Sequence, residues 1–232
     1  AGRLVSGWTK RPSKGSFIEA KRVIAVLGPT AAGKSGLAEH LASEFDGELL
    51  NSDASAVYRE LSVGVTKPDD DTRKRIPHHL LDVTNLATGF TLMDYMELAN
   101  AAVDEVASRG KLPILVGGSG LYARAVLDGY KPPQVEVPPE VREEVRALES
   151  EEASARLRQL DPDAYNRIDL QNPRRVCRAL ELATAAGGPV APPEASPRPD
   201  LEVLRLYLVP SKPLLKERIY QRTLQMWEGW VK

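Results

Sequence analysis

The chain holds a single cysteine, Cys177, among 232 residues. That excludes an internal disulfide framework and a zinc site built on several thiolates, and it suits a reducing compartment. Cys177 sits beside the apolar Val176/Leu180 face with no paired base, so it reads as packing rather than as a nucleophile. Histidine is as sparse, with three residues; the pair His78-His79 has no third ligand at metal spacing and reads as structural. Neither charge sign dominates, since 31 Lys and Arg face 32 Asp and Glu for a net charge of −1. No global positive field draws the chain to a polyanion, so any nucleic-acid contact must rest on local basic patches. No apolar run approaches the roughly 18 residues of a membrane span; no membrane partner is expected, and a cytoplasmic monomer is. Residues 1–21 read as a basic, solvated tail: Arg3, Lys10, Arg11 and Lys14 outnumber Glu19, and the apolar core of a secretory signal is missing. An organellar transit remnant is the alternative.

What remains is ordinary globular composition, 42% hydrophobic and 27% charged, in a length that suits one sizeable domain carrying a small insert. Short apolar strands are predicted at residues 22–27, 47–51, about 77–83 and 112–116. Helices are predicted at 34–45, with Leu37, Leu41 and Phe45 on one face, at 54–60, at 91–108 with Thr91 and Asp94 as a capping pair, and at 121–127. Strands that are apolar throughout and alternate with helices imply an α/β fold, a parallel sheet flanked by helices on both faces. After the prolines at 132–133 and 138–139 the character changes to charged helix. Residues 130–173 therefore read as a small helical insert in a core made of 22–129 and 174–232. The core resumes with a helix at 174–186 stopped by Gly187-Gly188, then a Pro/Ala-rich, mobile stretch at 189–199, a strand at 201–209 and a helix at 212–228.

The sharpest signal is "GPTAAGKS", formed by Gly28, Pro29, Thr30, Ala31, Ala32, Gly33, Lys34 and Ser35 between a predicted strand and a predicted helix. The spacing G-x-x-x-x-G-K-[ST] lets backbone N–H groups curl around phosphate oxygens at a helix N-terminus. Lys34 reaches the outer phosphate charge, and the Ser35 hydroxyl ligates Mg²⁺. A di- or triphosphate ligand follows.

Ligands of an open parallel sheet bind at the carboxyl ends of its strands. Asp53 ends the second strand, where it can serve as a base or merely cap the next helix. Gly117-Gly118-Ser119-Gly120 ends another, either as a tight turn or as a close approach to ligand. On the last helix, Leu215, Ile219, Arg222 and Met226 share one stripe. A guanidinium there either snorkels or, with Arg218, aims at the diphosphate. Asn172, Pro173, Arg174, Arg175, Val176 and Arg178 make a local basic patch, alternatively a solvated helix start. On the residues alone, a P-loop enzyme with a carboxylate base could equally be a small-molecule kinase.

The ordered segments "GPTAAGKS", "NSDASAVYRELSVGVTKP", "PHHLLDV", "VGGSGLYARAVLDG", "RRVCRALEL" and "ERIYQRTLQMWEG" resemble those of the tRNA dimethylallyltransferase family, from about residue 22 to the C-terminus. The resemblance implies a P-loop NTPase-like fold and transfer of a dimethylallyl group from dimethylallyl diphosphate to N6 of the adenine next to the anticodon. It implies Asp53 as general base, Ser119 on the adenine edge, Lys34 and Arg222 on the departing diphosphate, and Mg²⁺ at Ser35. It implies tRNA anticodon stem-loop contacts by Asp53, Ala54, Ser55, Ala56, Ser119, Arg142, Asn172, Pro173, Arg174, Arg175 and Val176. The chain departs from the family in Asp53-Ala54-Ser55-Ala56 where D-S-x-Q is usual, in Gly64-Val65-Thr66-Lys67-Pro68 for "GTAKP", and in Ser119 for the usual Thr. Its insert is short, and it stops soon after Trp227-Glu228-Gly229 where relatives continue through further helices, so a truncated or incomplete form is expected. The rivals are an adenylate isopentenyltransferase acting on free AMP, ADP or ATP, a nucleoside or small-molecule kinase, and a non-catalytic RNA-binding remnant.

Overall fold

The computed structural model describes residues 20–62 and 64–230; nearly all of the basic tail read at 1–21 lies outside the described residues. In chain order the first elements are β1 (Lys21–Leu27), α1 (Lys34–Phe45), β2 (Gly47–Asn51), α2 (Asp70–Arg75), β3 (His78–His79), α3 (Leu92–Ser108), β4 (Leu112–Gly117) and α4 (Gly120–Leu127). There follow β5 (Tyr130–Lys131), α5 (Pro139–Arg146), α6 (Ser150–Leu160), α7 (Pro162–Arg167), α8 (Pro173–Ala186), β6 (Glu194–Ala195), β7 (Leu201–Tyr207) and α9 (Lys212–Trp230).

The expected parallel sheet is present, with strand order β3-β2-β4-β1-β7. β1 lies between β4 and β7, pairing Ile24 with both Ile114 and Leu204. Side chains alternate along a strand, so each strand feeds two cores. Val23, Ala25, Leu27, Leu50 and Leu115 pack with Tyr95, Ala99, Val103 and Val106 of α3 and with Ala123 and Val126 of α4. Ile24, Val26, Leu49 and Ile114 pack with Ala38 and Ala42 of α1 on the other side. Burial of each Leu, Ile or Val contributes about 1.5–3 kcal/mol, and coverage on both faces explains why the strands are apolar throughout.

Several local expectations are corrected. The face of α1 that meets the sheet is Ala38 and Ala42; the small side chains let helix and sheet approach closely, Leu37 and Leu41 flank them, and Phe45 is 57% exposed. No helix forms over residues 54–60, which turn instead. The Asp53 carboxylate accepts from the Ser55 N–H at 2.9 Å, an Asx turn that competes with helix, and Tyr58 bridges to Thr84. The strand expected at 77–83 is only β3, because Leu80 and Asp82 adopt φ of 64° and 59° and turn the chain away. The 189–199 stretch is tied down by β6, which pairs with β5 in an antiparallel ladder.

Helices α5 to α8 gather into a cluster whose core reaches past the expected bounds of 130–173. Val176, Leu180 and Ala183 of α8 share a core with Val145, Ala153, Leu157 and Ala164 of α5, α6 and α7. The stripe of α8 at i, i+4, i+7 faces those helices, so a boundary at Pro173 cuts through the cluster. Asp161 pins it from inside: fully buried, its carboxylate accepts from the N–H groups of Ala164 and Val190, each at 2.9 Å. Cys177 packs against the same cluster.

Candidate active site

β1 ends in Gly28, whose φ of 145° and close passage suit only glycine: a Cβ there would stand 2.5 Å from the Leu208 carbonyl oxygen. The loop then runs to Gly33, the N-cap of α1, which lends no side-chain hydrogen bond. The first-turn amides of α1 are therefore left for a ligand, and their dipole favours an anion. Lys34 Nζ donates to the Pro29 carbonyl at 2.7 Å. Burial lowers the Lys34 pKa, the Asp53 carboxylate opposes that, and Arg222 adds to the lowering. Among the described residues no carboxylate is bonded to this ammonium, which leaves it open to an anion.

β2 delivers Asp53 through a small scaffold. The Asn51 side chain accepts from the Asp53 N–H at 3.0 Å and donates to the Asp53 and Leu80 carbonyls at 3.0 and 3.1 Å. Asn51 is itself held by Tyr95, whose hydroxyl donates to the Asn51 carbonyl at 2.9 Å. Tyr95 follows the Thr91–Asp94 capping box that starts α3 and stacks on Tyr122 at 3.7 Å. Burial first, then Tyr58, Asp53 and Asp94, push the Tyr122 pKa up to about 12. One Asp53 carboxylate oxygen holds the Ser55 N–H; the other has no partner among the described hydrogen bonds.

β4 ends in Gly117, which the close packing demands: a Cβ would fall 2.1 Å from the Ser52 carbonyl oxygen. That contact seats Ser119 against the Asp53 loop. The Ser119 N–H donates to the Ser52 carbonyl at 3.0 Å, and its Oγ accepts from the Ala54 N–H at 2.9 Å. The hydroxyl proton of Ser119 remains to be donated.

α9 closes the site. Leu215, Arg222 and Met226 lie on its half-buried face, whereas Ile219 is 38% exposed. Arg222 donates to Thr30 Oγ1 at 2.7 Å and to Thr66 Oγ1; one turn earlier Arg218 donates to the Ala32 carbonyl at 3.4 Å. Thr30, Lys34, Ser35, Asp53, Ser55, Thr66, Ser119 and Arg222 thus line one cleft of about 440 Å³.

Other candidates fall elsewhere. Ala56 is 2% exposed and Val176 3%, the latter within the helical cluster, so neither side chain reaches an RNA surface and the expectation that they contact RNA is corrected for their side chains. Asn172 spends its side chain as the N-cap of α8. Arg142, Pro173, Arg174 and Arg175 are exposed on the helical cluster, with Arg175 3.7 Å from Asp169. His78 is the exception and lines the cleft; its Nδ1 donates to the Ile76 carbonyl at 2.7 Å, and burial lowers its pKa. His79 lies 2.6 Å from the buried Glu48 carboxylate. No group of three metal-ligating side chains occurs among the described residues. Sequence reasoning missed Asn51, Thr66 and Lys67 as lining the cleft, and Asp82 as the partner of Lys67; only the Asx signature of Asn51-Ser52-Asp53 was there to be read.

A glycine-rich loop entering a helix from a central parallel strand, faced by a carboxylate and two cations, defines a phosphate-loop α/β protein. Its family follows from comparison. The IPP transferase family model matches residues 56–232, well over half of the chain, and the chain belongs to that family. The match begins beyond the phosphate loop and Asp53, but relatives extend over both. A tRNA dimethylallyltransferase of Streptomyces avermitilis is 41% identical over 214 residues, 90% of this chain and 68% of the relative. Another, of Roseiflexus castenholzii, is 40% identical over 208 residues, 88% and 68% of the two chains. The full-length tRNA isopentenylpyrophosphate transferase of Bacillus halodurans is similar in structure, with a TM-score of 0.58 at 31% identity over 90% of this chain and 67% of that one. The fold is also that of a eukaryotic dimethylallyltransferase, at a TM-score of 0.66 and 23% identity, covering 91% of this chain and 56% of that one. No helix among the described residues is long and apolar enough to cross a membrane.

Proposed function

We propose that this chain transfers a dimethylallyl group from dimethylallyl diphosphate to N6 of the adenine next to the anticodon of a tRNA, releasing diphosphate. Family membership supports the reaction class. The observation that carries the reading in this chain is the shared cleft, in which Asp53 and Ser119 face Lys34, Ser35 and Arg222.

The exocyclic amine of adenine is a weak nucleophile because its lone pair is delocalised into the ring. The unspent oxygen of Asp53 takes a proton from it as the new N–C bond forms. The carbon–oxygen bond to the diphosphate breaks, and its electron pair leaves with that group. The first-turn amides of α1, Lys34 and Arg222 stand ready for the charge that develops there. Ser119, whose oxygen is engaged by Ala54, donates its proton to an acceptor on the base edge. Magnesium suits the donor set: a hard cation needs one or two protein oxygens, here the Ser35 hydroxyl, and takes its other ligands from phosphate and water. When bound it neutralises charge on the leaving diphosphate. The target base must leave its stack to enter the cleft, past Asp53, Ala54 and Ser55 at the rim, while Arg142, Pro173, Arg174 and Arg175 meet the RNA backbone.

The test is mass spectrometry of an anticodon stem-loop incubated with dimethylallyl diphosphate and Mg²⁺. The native protein is expected to add one prenyl unit, Asp53→Ala none, and free AMP in place of the stem-loop should give no product. Equal rates for native protein and Asp53→Ala would overturn the general-base role; prenylated AMP without prenylated RNA would overturn the substrate.

A further inference from the structure

Two irregular loops wall the cleft opposite the phosphate loop. Residues 53–59 carry Asp53, and residues 64–68 carry Thr66, the partner of Arg222. Neither loop belongs to the sheet, and the first has only the isolated bridge of Tyr58 to Thr84, yet a base and a leaving-group cation depend on where they stand.

Lys67 and Asp82 join them. The Lys67 side chain is only 12% exposed, and an ammonium so enclosed needs all its donors used. It donates to the Tyr58 carbonyl and the Asp82 carboxylate, each at 2.6 Å, and more weakly to the Arg59 carbonyl at 3.4 Å. Asp82 answers with every polar group it has. Its N–H donates to the Ala56 carbonyl at 3.2 Å, its carbonyl accepts from Arg59 Nε at 2.8 Å, and its second carboxylate oxygen accepts from Arg73 at 3.0 Å. Arg73 reaches on to the Pro68 carbonyl at 3.2 Å. Asp82 also holds the left-handed φ of 59°, a conformation that a non-glycine residue keeps only where its surroundings over-determine it.

We propose that Lys67 and Asp82 are positioning residues, an enclosed ion pair that locks the Asp53 loop to the Thr66 loop and so sets how the carboxylate and the Arg222 guanidinium face the phosphate loop. The inference rests on the roles proposed above for Asp53 and Arg222. It assigns Lys67, which lines the cleft and carries the right charge to bind phosphate, to the loops instead: its donors are already taken by Tyr58, Arg59 and Asp82.

Two variants test this. Lys67→Met keeps the stem and removes the ammonium; Asp82→Asn keeps the backbone links and removes the charge. Lys74→Met, on the exposed face of α2, is the control. Hydrogen exchange of the ligand-free protein follows the amides that tie the Asp53 loop to the segment carrying Asp82, namely Asp82 to Ala56, Thr84 to Val57 and Arg59 to Thr84. Exchange there is expected to quicken by about tenfold or more in both variants, since it reads local opening, and to stay unchanged in the control. In stem-loop prenylation kcat should fall on the order of 100-fold, the cost of misplacing a reacting group by about 1 Å. The KM for dimethylallyl diphosphate should rise by less than kcat falls, because the phosphate-loop amides are untouched and only Arg222 among the diphosphate's partners shifts with the Thr66 loop. Unchanged exchange in the two variants would overturn the proposal, as would looser loops with undiminished kcat, or a loss confined to KM. The exchange measurement decides the lock even with a wild-type protein that prenylates no RNA, an outcome that would sink the proposed reaction instead. Should Lys67→Met fail to fold, Asp82→Asn carries the test alone.

Discussion

Replacing Arg222 by alanine removes a guanidinium whose two arms rest on Thr30 and Thr66, one on the phosphate loop and the other across the cleft. Both hydroxyls are exposed to solvent once freed, so the change leaves no buried unpaired group on the protein. The loss falls on the diphosphate. A hydrogen bond to a charged group contributes about 1.5–3 kcal/mol, and at ~1.4 kcal/mol per factor of ten this is about 10- to 150-fold in kcat/KM. Arg222→Lys keeps the charge but not the fork, so it should sit near the mild end, at about tenfold. Steady-state prenylation of a stem-loop over a range of dimethylallyl diphosphate concentrations measures both. The loss should divide between KM, for charge already on the bound diphosphate, and kcat, for charge that grows as it departs. Activity of Arg222→Ala within about twofold of wild type would refute the reasoning and leave the guanidinium snorkelling at the edge of α9.

Two further outcomes follow from the structure. Burial would raise the Asp82 pKa, but Lys67 and Arg73 outweigh it and hold the carboxyl below its ordinary value; Arg198 holds that of Asp200 well below, against burial and with help from Lys21. Carboxyls lowered on folding stabilise above their unfolded pKa of about 3.9, and that stability is lost as pH falls through the folded value. Thermal unfolding should therefore be insensitive to these groups from neutral pH to about 5 and drop steeply below about 4, with a shallower drop for Asp82→Asn; superimposable acid limbs would remove Asp82 from the account. Gly117→Ala should destabilise the protein by about 1–3 kcal/mol, as overpacking does, because the new Cβ meets the Ser52 backbone at 2.1 Å. Calorimetry showing an unchanged Tm would mean that β4 and the Asp53 loop can separate freely.

The parts of the molecule governed by local rules were legible in the sequence. α1 runs over the residues its motif and periodicity predict, and α3 begins at its capping box, because caps and helical stripes are properties of consecutive residues. The misreadings share one cause. Residues 54–60 have helical composition, yet Asp53 and Thr84 claim their backbone groups. Phe45 completes an apolar face that the sheet never meets, since Ala38 and Ala42 permit the closer approach. α8 buries its stripe against α5, α6 and α7, and nothing in that stripe itself says which neighbours it will meet.

The candidate site divides along the same line. Gly28 to Ser35 is legible as a candidate phosphate loop by its spacing, since the glycines and the helix start act through adjacent backbone amides. Asp53 and Arg222 were suspected from strand ends and from a charge on an apolar stripe. Lys67 and Asp82 gave no such sign, because each is an ordinary charged residue until the fold encloses it.

By itself, then, the order of residues determined the parallel α/β architecture, the phosphate loop and the reach of each principal helix, all set by contacts a few positions apart. Tertiary structure alone decided that Asp53 shares a cleft with Lys34 and Arg222, that Ser119 spends its oxygen on Ala54, and that an ion pair staples the rim. Those are meetings of groups tens to nearly two hundred positions apart, which exist only once the sheet has brought its strand ends together.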